Sequence, residues 1–559
     1  MRRTTRLTAC LLAFILLTAC TIDRGADGDK KDKGPKASTE KADLHSYYKL
    51  SDALYLTVID GVVNEDRSIK SDGQVYIPYS VAKSLDARFY YNKTEEQMII
   101  TTPTDVLVYK PNSTEHTVNG TYVTDKVPMF RAFDTRLYVS TEVFAEYSDV
   151  STVVLTKPQR VVFFRNGVAF SSMTATKDTA IRIGTSFEQD IVTELKKGDR
   201  VVSTGENKNG FISVSTSDGQ VGYVASADMT GPGEWVLQPS TKNYPRIGLP
   251  SGSVHLMWHQ MWTKLGANDL TVALSDTQGI NVICPTWFDF KDTSGNITSL
   301  ADASYVEEAH RHGILVWALC SDFAADVKGL DILSHTESRN ALEDNLIAET
   351  VRVGADGINL DYEFITKDSA PHYLQFIREL YIKCRKNGLS LSTDNFVPNA
   401  GKAHYQLADQ GYILDYVIFM AYDEHYKGSK AGSVASFPWV ESAMKSAVKL
   451  VPADRIVLGL PLFNRVWMTN KEGITTQDNG GMTKITEAAY KNAKPVWDDE
   501  CKQFYAEYKQ NDILYQYWIE DTESLKYKLD LIPAYHLAGF AGWKLGLEAP
   551  NVWGLLNQY

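Results

Sequence analysis

The residues best suited to do chemistry lie in one short stretch, DGINLDYE, at positions 356–363. In a β-strand, successive side chains point to opposite faces. Asn359, Asp361 and Glu363 would then share one face as a column of an amide and two acids. The residues between them are apolar and would share the other face: Ile358, Leu360 and Tyr362. Asp356 lies off the column, at the start of the strand, and we expect it to be structural.

The acid column has two interpretations, a buried network of ion pairs or a catalytic cluster. Charges inside a protein are costly unless they are paired, and this stretch contains no basic residue. That favours catalysis. Beside an ionised Asp361, Glu363 should have a raised pKa, and a carboxyl that stays protonated near neutral pH can act as a general acid.

From about residue 247 onward, the sequence predicts alternating strands and helices, and these elements must position the acids. Amphipathic segments that end in Gly or Asn separate eight apolar runs, which is typical of a parallel (β/α)8 barrel, also called a TIM barrel. Active sites of such barrels lie at the carboxyl ends of the strands, which would place Glu363 at the mouth. Strand-like runs also predict a small insertion at about residues 470–530. The eight runs are 255–262, 280–288, 314–323, 356–364, 389–397, 414–423, 455–463 and 537–546.

The acid stretch resembles the DxxDxDxE signature of glycoside hydrolase family 18, the chitinase-like hydrolases. Residues 420–423, MAYD, are similar to the Met-x-Tyr-Asp motif that ends the sixth strand in this family, and Trp543 is similar to the Trp near the end of the eighth. The resemblance covers about residues 247–559. PTWF at 285–288 and the ending GWKLGLEAPNVW are most similar to the spore cortex-lytic N-acetylglucosaminidase branch.

The resemblance implies a mechanism in which the substrate assists, an exception to the scheme with two catalytic carboxylates. Glu363 would protonate the glycosidic oxygen, and the N-acetyl oxygen of the substrate would attack the anomeric carbon. Asp361 would orient the acetamido group, and Tyr422 would donate a hydrogen bond to it. Asp423 would bind the distorted sugar, and Trp543 would form an apolar floor beneath it. No cofactor or metal is expected.

Further aromatic residues at the strand ends have two interpretations, core residues or platforms for other sugar units. Trp287 is the one that we expect to bind substrate. The alternatives stay open for three others: Trp258, Phe288 and Trp467.

Asn359 departs from the family pattern, in which this position is an acid that shares a proton with the next one. An Asn can hydrogen-bond Asp361 and assist in substrate binding, but it cannot share a proton. We expect activity with a shifted acidic limb of the pH profile.

The first 19 residues predict a lipoprotein signal peptide. Three Arg precede the apolar run 7–19, which is too short to span a bilayer. The run ends in LTAC, similar to a bacterial lipobox, which makes Cys20 the predicted lipidation site. An ordinary signal peptide with an incidental Cys is the alternative. Residues 20–43 are rich in Asp, Lys and Gly and predict a disordered tether.

Two small domains are predicted before the barrel. Residues 44–164 contain alternating apolar runs with an internal echo, VYIPYSVAKSL at 75 and LYVSTEVFAEY at 137. They resemble the duplicated α+β domains related to the copper amine oxidase N-terminus, although no copper follows from that likeness. Residues 165–237 are strand-rich, with turn signals at KKGD and SDGQ, and resemble a bacterial SH3-like module. Such a module is either a cell-wall peptide binder or a spacer.

Composition limits the partners. The net charge of −12 argues against a nucleic-acid partner, which needs a basic face. Six cysteines in 559 residues, without CxxC spacing, do not predict a metal site, and a Cys284–Cys320 bridge would require adjacent strands. We expect an exported monomer, anchored by lipid to the outer face of the cell membrane and associated with the cell wall.

Three functions remain open from the sequence. The first is hydrolysis of peptidoglycan at bonds that follow N-acetylglucosamine, and the second is hydrolysis of chitin or chitooligosaccharides. The third is a catalytically silent glycan-binding protein, which the presence of Glu363 disfavours.

Overall fold

The structure is a computed structural model that describes residues 36–241, 243–249, 252–324 and 326–559. The predicted signal peptide, Cys20 and most of the predicted tether lie outside the described residues. Within these ranges, no helix combines the length and the apolar character that are needed to cross a membrane.

The amino-terminal region is built from two β-sheets and short helices. Its internal echo corresponds to two strand–helix units, β4–α2 and β11–α3, whose strands pair antiparallel through Val139 and Ile77. A buried cluster that includes Ile77, Phe89, Phe144 and Phe163 joins the sheets. The elements are α1 (Leu44–Tyr47), β1 (Leu54–Ile59), β2 (Val62–Val63), β3 (Ser68–Ser71), β4 (Gln74–Pro78), α2 (Tyr79–Leu85), β5 (Phe89–Asn92), β6 (Gln97–Thr101), β7 (Val106–Tyr109), β8 (Glu115–Val118), β9 (Thr121–Thr124), β10 (Phe130–Phe133), β11 (Arg136–Ser140), α3 (Thr141–Tyr147), β12 (Val150–Thr156) and β13 (Gln159–Arg165).

A second unit follows as one antiparallel sheet in the order β16-β15-β19-β18-β17-β14-β20. Its core contains Ile181, Val201, Val214 and Val224. The likeness to an SH3-like module stays a prediction. The strands are β14 (Ala169–Ala175), β15 (Thr179–Arg182), β16 (Ile191–Leu195), β17 (Arg200–Lys208), β18 (Phe211–Ser215), β19 (Val221–Ala225) and β20 (Met229–Val236).

The carboxy-terminal region is the predicted (β/α)8 barrel. Parallel strands run in the order β21-β34-β28-β27-β26-β25-β24-β22, and pairing of β21 with β22 closes the cylinder. The elements up to the seventh barrel strand are β21 (Val254–His259), α4 (Ala267–Ala273), β22 (Val282–Phe290), β23 (Ile297–Ser299), α5 (Ala303–Arg311), β24 (Leu315–Ser321), α6 (Gly329–Leu333), α7 (Thr336–Val353), β25 (Gly357–Asp361), α8 (Ala370–Lys386), β26 (Ser390–Phe396), α9 (Leu407–Ile413), β27 (Tyr416–Met420), α10 (Phe437–Ala447) and β28 (Ile456–Pro461).

An antiparallel sheet with one helix is inserted before the last barrel strand, in the order β30-β29-β33-β32-β31. It begins at Phe463, directly after β28, and therefore stands at the carboxyl ends of the barrel strands, beside the mouth. The remaining elements are β29 (Phe463–Thr469), β30 (Thr475–Gly481), α11 (Met482–Asn492), β31 (Val496–Asp498), β32 (Gln503–Gln510), β33 (Ile513–Ile519), α12 (Thr522–Leu529), α13 (Leu531–Tyr535), β34 (Gly539–Trp543) and α14 (Val552–Leu556).

The barrel has an inner and an outer apolar layer. Ile358, Leu360 and Tyr362 belong to the outer layer, between strands and helices. Leu256, Trp317 and Ile418 belong to the inner layer, with Cys284. This separation points the alternate residues of β25, Asn359 and Asp361, into the barrel.

The amino-terminal region is docked on helices α7 and α8 of the barrel. Asn92 Nδ2 donates to the Ser334 carbonyl at 2.8 Å, and Gln375 Nε2 donates to Thr101 Oγ1 at 2.7 Å. Glu95 Oε1 accepts from the Thr336 backbone amide at 2.8 Å, at the first residue of α7. These polar contacts cross a buried interface on the outside of the barrel.

The cysteines of the described chain are all free, so the conditional bridge between Cys284 and Cys320 does not form. Both are buried, and β24 pairs directly with β22. The register places Leu319 opposite Thr286 and Cys320 opposite Phe288, so Cys284 faces an earlier part of β24.

Candidate active site

The predicted site residues meet at the carboxyl ends of the barrel strands. Asp361 ends β25, Tyr422 and Asp423 follow β27, and Trp543 ends β34. Two adjoining pockets open there, of about 490 and 400 Å³, and Trp543 lines both. Asp361 lines the first pocket, and Tyr422 and Asp423 line the second.

Glu363 lies just beyond its strand, because β25 ends at Asp361 instead of continuing through 364. The backbone amides of Glu363 and Phe364 donate to the carboxylate of Asp322, at 2.8 and 3.0 Å, where a longer strand would have bonded to its neighbour. Asp322, which directly follows β24, therefore positions the backbone of the predicted acid. Sequence analysis missed it, although an acid at the end of an adjacent strand is a visible signal.

The pKa of Glu363 is raised, as the sequence analysis predicted, but the cause differs from the prediction. Burial of the carboxyl has the largest effect, and the nearby charge of Asp322 adds to it. Lys402 opposes the shift; its Nζ lies 3.6 Å from the centre of the Phe396 ring. The arrangement keeps Glu363 protonated to higher pH than an ordinary Glu, as a general acid requires.

Asp361 lies beneath Glu363 and is 6% exposed. Its Oδ1 is buried and has no hydrogen-bond partner among the described residues. Burial raises its pKa well above the usual range, and the charges of Asp394, Glu363 and Asp322 raise it further. Asp361 is thus a buried acid with a free acceptor atom at the floor of the first pocket.

Asn359 does not make the hydrogen bond to Asp361 that an Asn at this position could make. Its Nδ2 donates to Ser392 Oγ and to Asp394 Oδ1, both at 3.0 Å, and Cys284 Sγ donates to its Oδ1 at 3.5 Å. The acceptors that it finds lie on the neighbouring strand β26 and not along β25. Asn359 is fully buried, so it supports the site from below and does not reach substrate.

Asp394, on β26, is an acid of the site that sequence analysis did not single out. It is 2% exposed, and its Oδ2 accepts a hydrogen bond from Trp258 Nε1 at 3.1 Å. Burial raises its pKa above the usual range of an Asp. An acid inside the apolar run LSLSTDNFV was the available sequence signal.

Tyr422 contacts two rings edge-on, with centroids 6.4 Å from Trp258 and 6.3 Å from Phe463. Burial and the surrounding acids, Asp394 first, raise its pKa well above that of free Tyr. The phenol therefore keeps its proton and is available as a hydrogen-bond donor to a ligand oxygen.

Asp423 has a left-handed backbone, with φ of 63°, which is uncommon for a residue other than glycine and occurs at functional sites. Its Oδ1 accepts from Arg465 Nη2 at 2.6 Å. Burial raises its pKa, and Arg465 opposes that shift. Arg465 comes from β29 of the inserted sheet, so the insertion contributes directly to the second pocket.

The aromatic residues divide into platforms and core. Trp543 is half-buried and meets Trp258 edge-on at 5.9 Å, as a floor between the pockets requires. Trp287 lies at the wall of the first pocket but is 2% exposed, so it offers an edge and not a stacking face. Trp258 and Trp467 are 1% exposed and Phe288 is 2% exposed, which places them in the core. Trp262, which sequence analysis missed, lines the first pocket with 82% of its surface exposed.

Among the described residues, no group of three or more His, Cys, Asp or Glu side chains is arranged to hold a metal ion.

Comparison with known proteins agrees with the architecture. Residues 327–548 match the family model described as glycosyl hydrolases family 18, and residues 61–204 match the copper amine oxidase N-terminal domain. A chitinase structure from Chromobacterium violaceum superposes with a TM-score of 0.50 at 20% identity, covering 55% of this chain and 98% of that one. At that identity the likeness shows the fold.

Relatives of this chain include proteins from Bacillus subtilis (strain 168). The "Uncharacterized glycosylase YvbX" is 25% identical over 50% of this chain and 84% of its own length. The "Cortical fragment-lytic enzyme" is 26% identical over 42% of this chain and 56% of its own length. This chain thus spans little more than half of the second relative.

Proposed function

We propose that the protein hydrolyses β-1,4 bonds of polymers that contain N-acetylglucosamine, with peptidoglycan as its substrate. The match of residues 327–548 to the model of glycosyl hydrolases family 18 supports this proposal. The bond broken is the one that follows N-acetylglucosamine, and the reaction retains the anomeric configuration. The observation that carries the proposal is that Glu363, Asp361 and Tyr422 come together, each near enough for the acids to raise the pKa of one another and of the phenol, beside the two pockets that Trp543 lines.

Glu363 supplies the proton in the first step. Its raised pKa keeps the carboxyl protonated, and the proton passes to the glycosidic oxygen as the bond from that oxygen to the anomeric carbon breaks. The leaving sugar departs as an alcohol. Glu363 is left as a carboxylate beside the new cationic centre.

The acetamido group of the substrate acts as the nucleophile. Asp361 lies beneath Glu363 with a free Oδ1, so it is placed to accept from the acetamido N–H and not to attack carbon. The acetamido oxygen bonds to the anomeric carbon and forms an oxazolinium ion. Tyr422, which keeps its phenolic proton, donates to that oxygen. The carboxylate of Glu363 then takes a proton from water. The water oxygen bonds to the anomeric carbon as the bond from that carbon to the acetamido oxygen breaks, which restores the acetamido group and the protonated Glu363.

Charge in the second pocket favours peptidoglycan over chitin. The second pocket is lined by two cations, Arg465 and Lys544, and one acid, Asp423. Lys544 Nζ donates to Gln260 Oε1 at 2.6 Å, and its pKa is lowered by burial. A neutral chitin chain leaves this cation without a counter-charge, whereas the lactyl and peptide carboxylates of peptidoglycan supply one. The name of the cortical fragment-lytic relative is consistent with this choice.

The cellular site proposed is the outer face of the membrane. This part of the proposal rests on the sequence alone: the apolar run 7–19 followed by Cys20, and the polar stretch 20–43. Metabolic labelling with a palmitate analogue tests it. Cys20→Ser is expected to abolish labelling, whereas Cys10→Ser, in the other LTAC, is expected to retain it.

Digestion of purified peptidoglycan and of chitohexaose, in parallel, tests the activity. We expect new N-acetylglucosamine reducing ends from peptidoglycan by mass spectrometry, with the β-anomer formed first by proton NMR. New muramic acid ends would contradict the assignment of the bond. Faster cleavage of chitohexaose would favour the alternative substrate, which a chitinase-like fold also permits, and no cleavage of either would favour a glycan-binding protein.

A further inference from the structure

We propose that Asp394, on β26, is the proton partner of Asp361 and replaces the acid that is missing at Asn359. It is a positioning residue, since it acts on substrate through Asp361. The inference rests on the proposed glycosidase function. Strand β25 has no second acid to share a proton with Asp361, because Asn359 stands at that position. The inference assigns this role to an acid of the neighbouring strand β26.

The register of the two strands brings the acids together. Asn359 pairs with Ser392 and Leu360 with Thr393, so Asp361 and Asp394 are the next residues along adjacent strands. Neighbouring residues in register point to the same face of a sheet, here the barrel interior. The hydrogen bond from Asn359 to Asp394 Oδ1 confirms that Asp394 points inward, beside the column of β25.

The hydrogen bonds distinguish the two acids. Both oxygens of Asp394 accept from neutral donors, Asn359 and the indole of Trp258, which stabilises its charged form. Asp361 Oδ1 has no such donor among the described residues. In the free enzyme the proton therefore resides on Asp361, and Asp394 is the member that ionises first.

Electrostatics support the pairing. Burial raises the pKa of both carboxyls, and the charge of Asp394 is the largest contribution from a neighbouring group to the raised pKa of Asp361. Two buried acids at neighbouring register positions cannot both ionise easily, so they share a proton near neutral pH. Other titratable groups that act on the pair or respond to its charge are Glu363, Asp322, Tyr422, Tyr373, Tyr405, Cys284 and Cys320.

Substrate moves this proton. The acetamido N–H and the developing oxazolinium charge both favour the carboxylate form of Asp361. Its proton passes to Asp394, which becomes neutral, while Asp361 takes up the negative charge beside the cation. One O–H bond breaks and one forms, so the charge of the pair stays at −1 throughout.

Two variants test the exchange. In Asp394→Asn, Asp361 loses its proton acceptor, and we expect kcat to fall about 10-fold to 100-fold with little change in KM. In the double variant Asn359→Asp/Asp394→Asn, the acid returns to β25, and we expect recovery of at least about a third of the wild-type kcat. Ser392→Ala removes a contact of Asn359 without changing charge and without touching either acid, so it is the matched control and should keep the wild-type kcat.

Carboxyl ¹³C NMR titration of the same proteins gives a readout that does not depend on catalysis. In Asp394→Asn, the titration of Asp361 is expected to move to lower pH, because the repelling charge is gone. An unmoved titration of Asp361 would overturn the inference even if the variant lost activity through unfolding. An unchanged kcat and pH profile in Asp394→Asn, beside an active wild type, would overturn it as well. A wild type inactive on all glycans would overturn the proposed function instead, because the titration would still report the pair.

Discussion

The carboxylate of Asp322 accepts hydrogen bonds from the backbone amides of Glu363 and Phe364, and it also raises the pKa of the Glu363 side chain. One residue at the end of β24 thus sets both the position and the protonation of the proposed general acid. Burial raises the pKa of Asp322 itself to about 6, so its charge is present at neutral pH. The first two predictions test this pair.

Glu363→Gln should abolish glycan hydrolysis. The amide cannot donate the required proton, and we expect kcat to fall about 10²-fold to 10⁴-fold. Release of reducing ends from peptidoglycan measures the loss. Glu307→Gln, at an exposed position of α5, is the matched control and should keep full activity. Normal hydrolysis by Glu363→Gln would disprove the assignment of the acid.

Asp322→Asn should move the basic limb of the pH profile of kcat/KM to lower pH. The charge that raises the pKa of Glu363 is removed, so Glu363 loses its proton earlier as the pH rises. The amide oxygen can still accept one of the two backbone hydrogen bonds. A pH–rate profile from pH 4 to pH 9 measures the shift, and a limb that stays in place would show that burial alone controls Glu363.

Trp262→Ala should impair long substrates more than short ones. The ring is 82% exposed at the first pocket, where a sugar can stack on it. Losing one such contact should raise KM about 3-fold to 10-fold for oligomers that reach this ring. Tyr122→Ala is the control, at a 76%-exposed ring in the amino-terminal region. Equal effects of Trp262→Ala on all chain lengths would contradict a separate subsite.

Lys544→Gln should distinguish anionic from neutral substrates. A charge-assisted hydrogen bond to a substrate carboxylate is lost, so kcat/KM for peptidoglycan fragments should fall about tenfold more than for chitooligosaccharides. Kinetics on both substrates measure the ratio. Lys449→Gln, at an exposed position outside the cleft, should leave the ratio unchanged. Equal losses on both substrates would argue against carboxylate recognition by Lys544.

Asp394→Asn should stabilise the protein as the pH rises. Burial raises the pKa of both Asp361 and Asp394, so the folded protein retains on this pair a proton that the unfolded chain loses near pH 4. Folded stability therefore falls as the pH rises above 4, by up to ~1.4 kcal/mol per pH unit for each proton retained. The Tm advantage of the variant over wild type should be larger at pH 8 than at pH 5, by thermal unfolding. The exposed Asp368→Asn should show no such trend.

The barrel and its principal residues could be predicted because their signals are local. Alternation along residues 358–363 separates the acids from the apolar layer. A chain of strands that alternate with amphipathic helices can adopt only a few topologies, and a closed barrel is one of them. Asp361, Tyr422 and Trp543 meet because parallel strands of a barrel end on the same side. The predicted carboxyl end of β25 was less accurate. The strand ends at Asp361 because the carboxylate of Asp322 accepts hydrogen bonds from the next two backbone amides, those of Glu363 and Phe364.

The sequence by itself determined which side chains β25 delivers to the barrel interior and that Glu363 reaches its mouth, because strand periodicity is a property of the backbone. Only the tertiary structure decided what those side chains meet. Asn359 binds Asp394 and not Asp361, since the contact crosses between strands whose register depends on the closed cylinder. The protonation of the site was decided in the same way, because burial and the charges of Asp322 and Asp394 act through space.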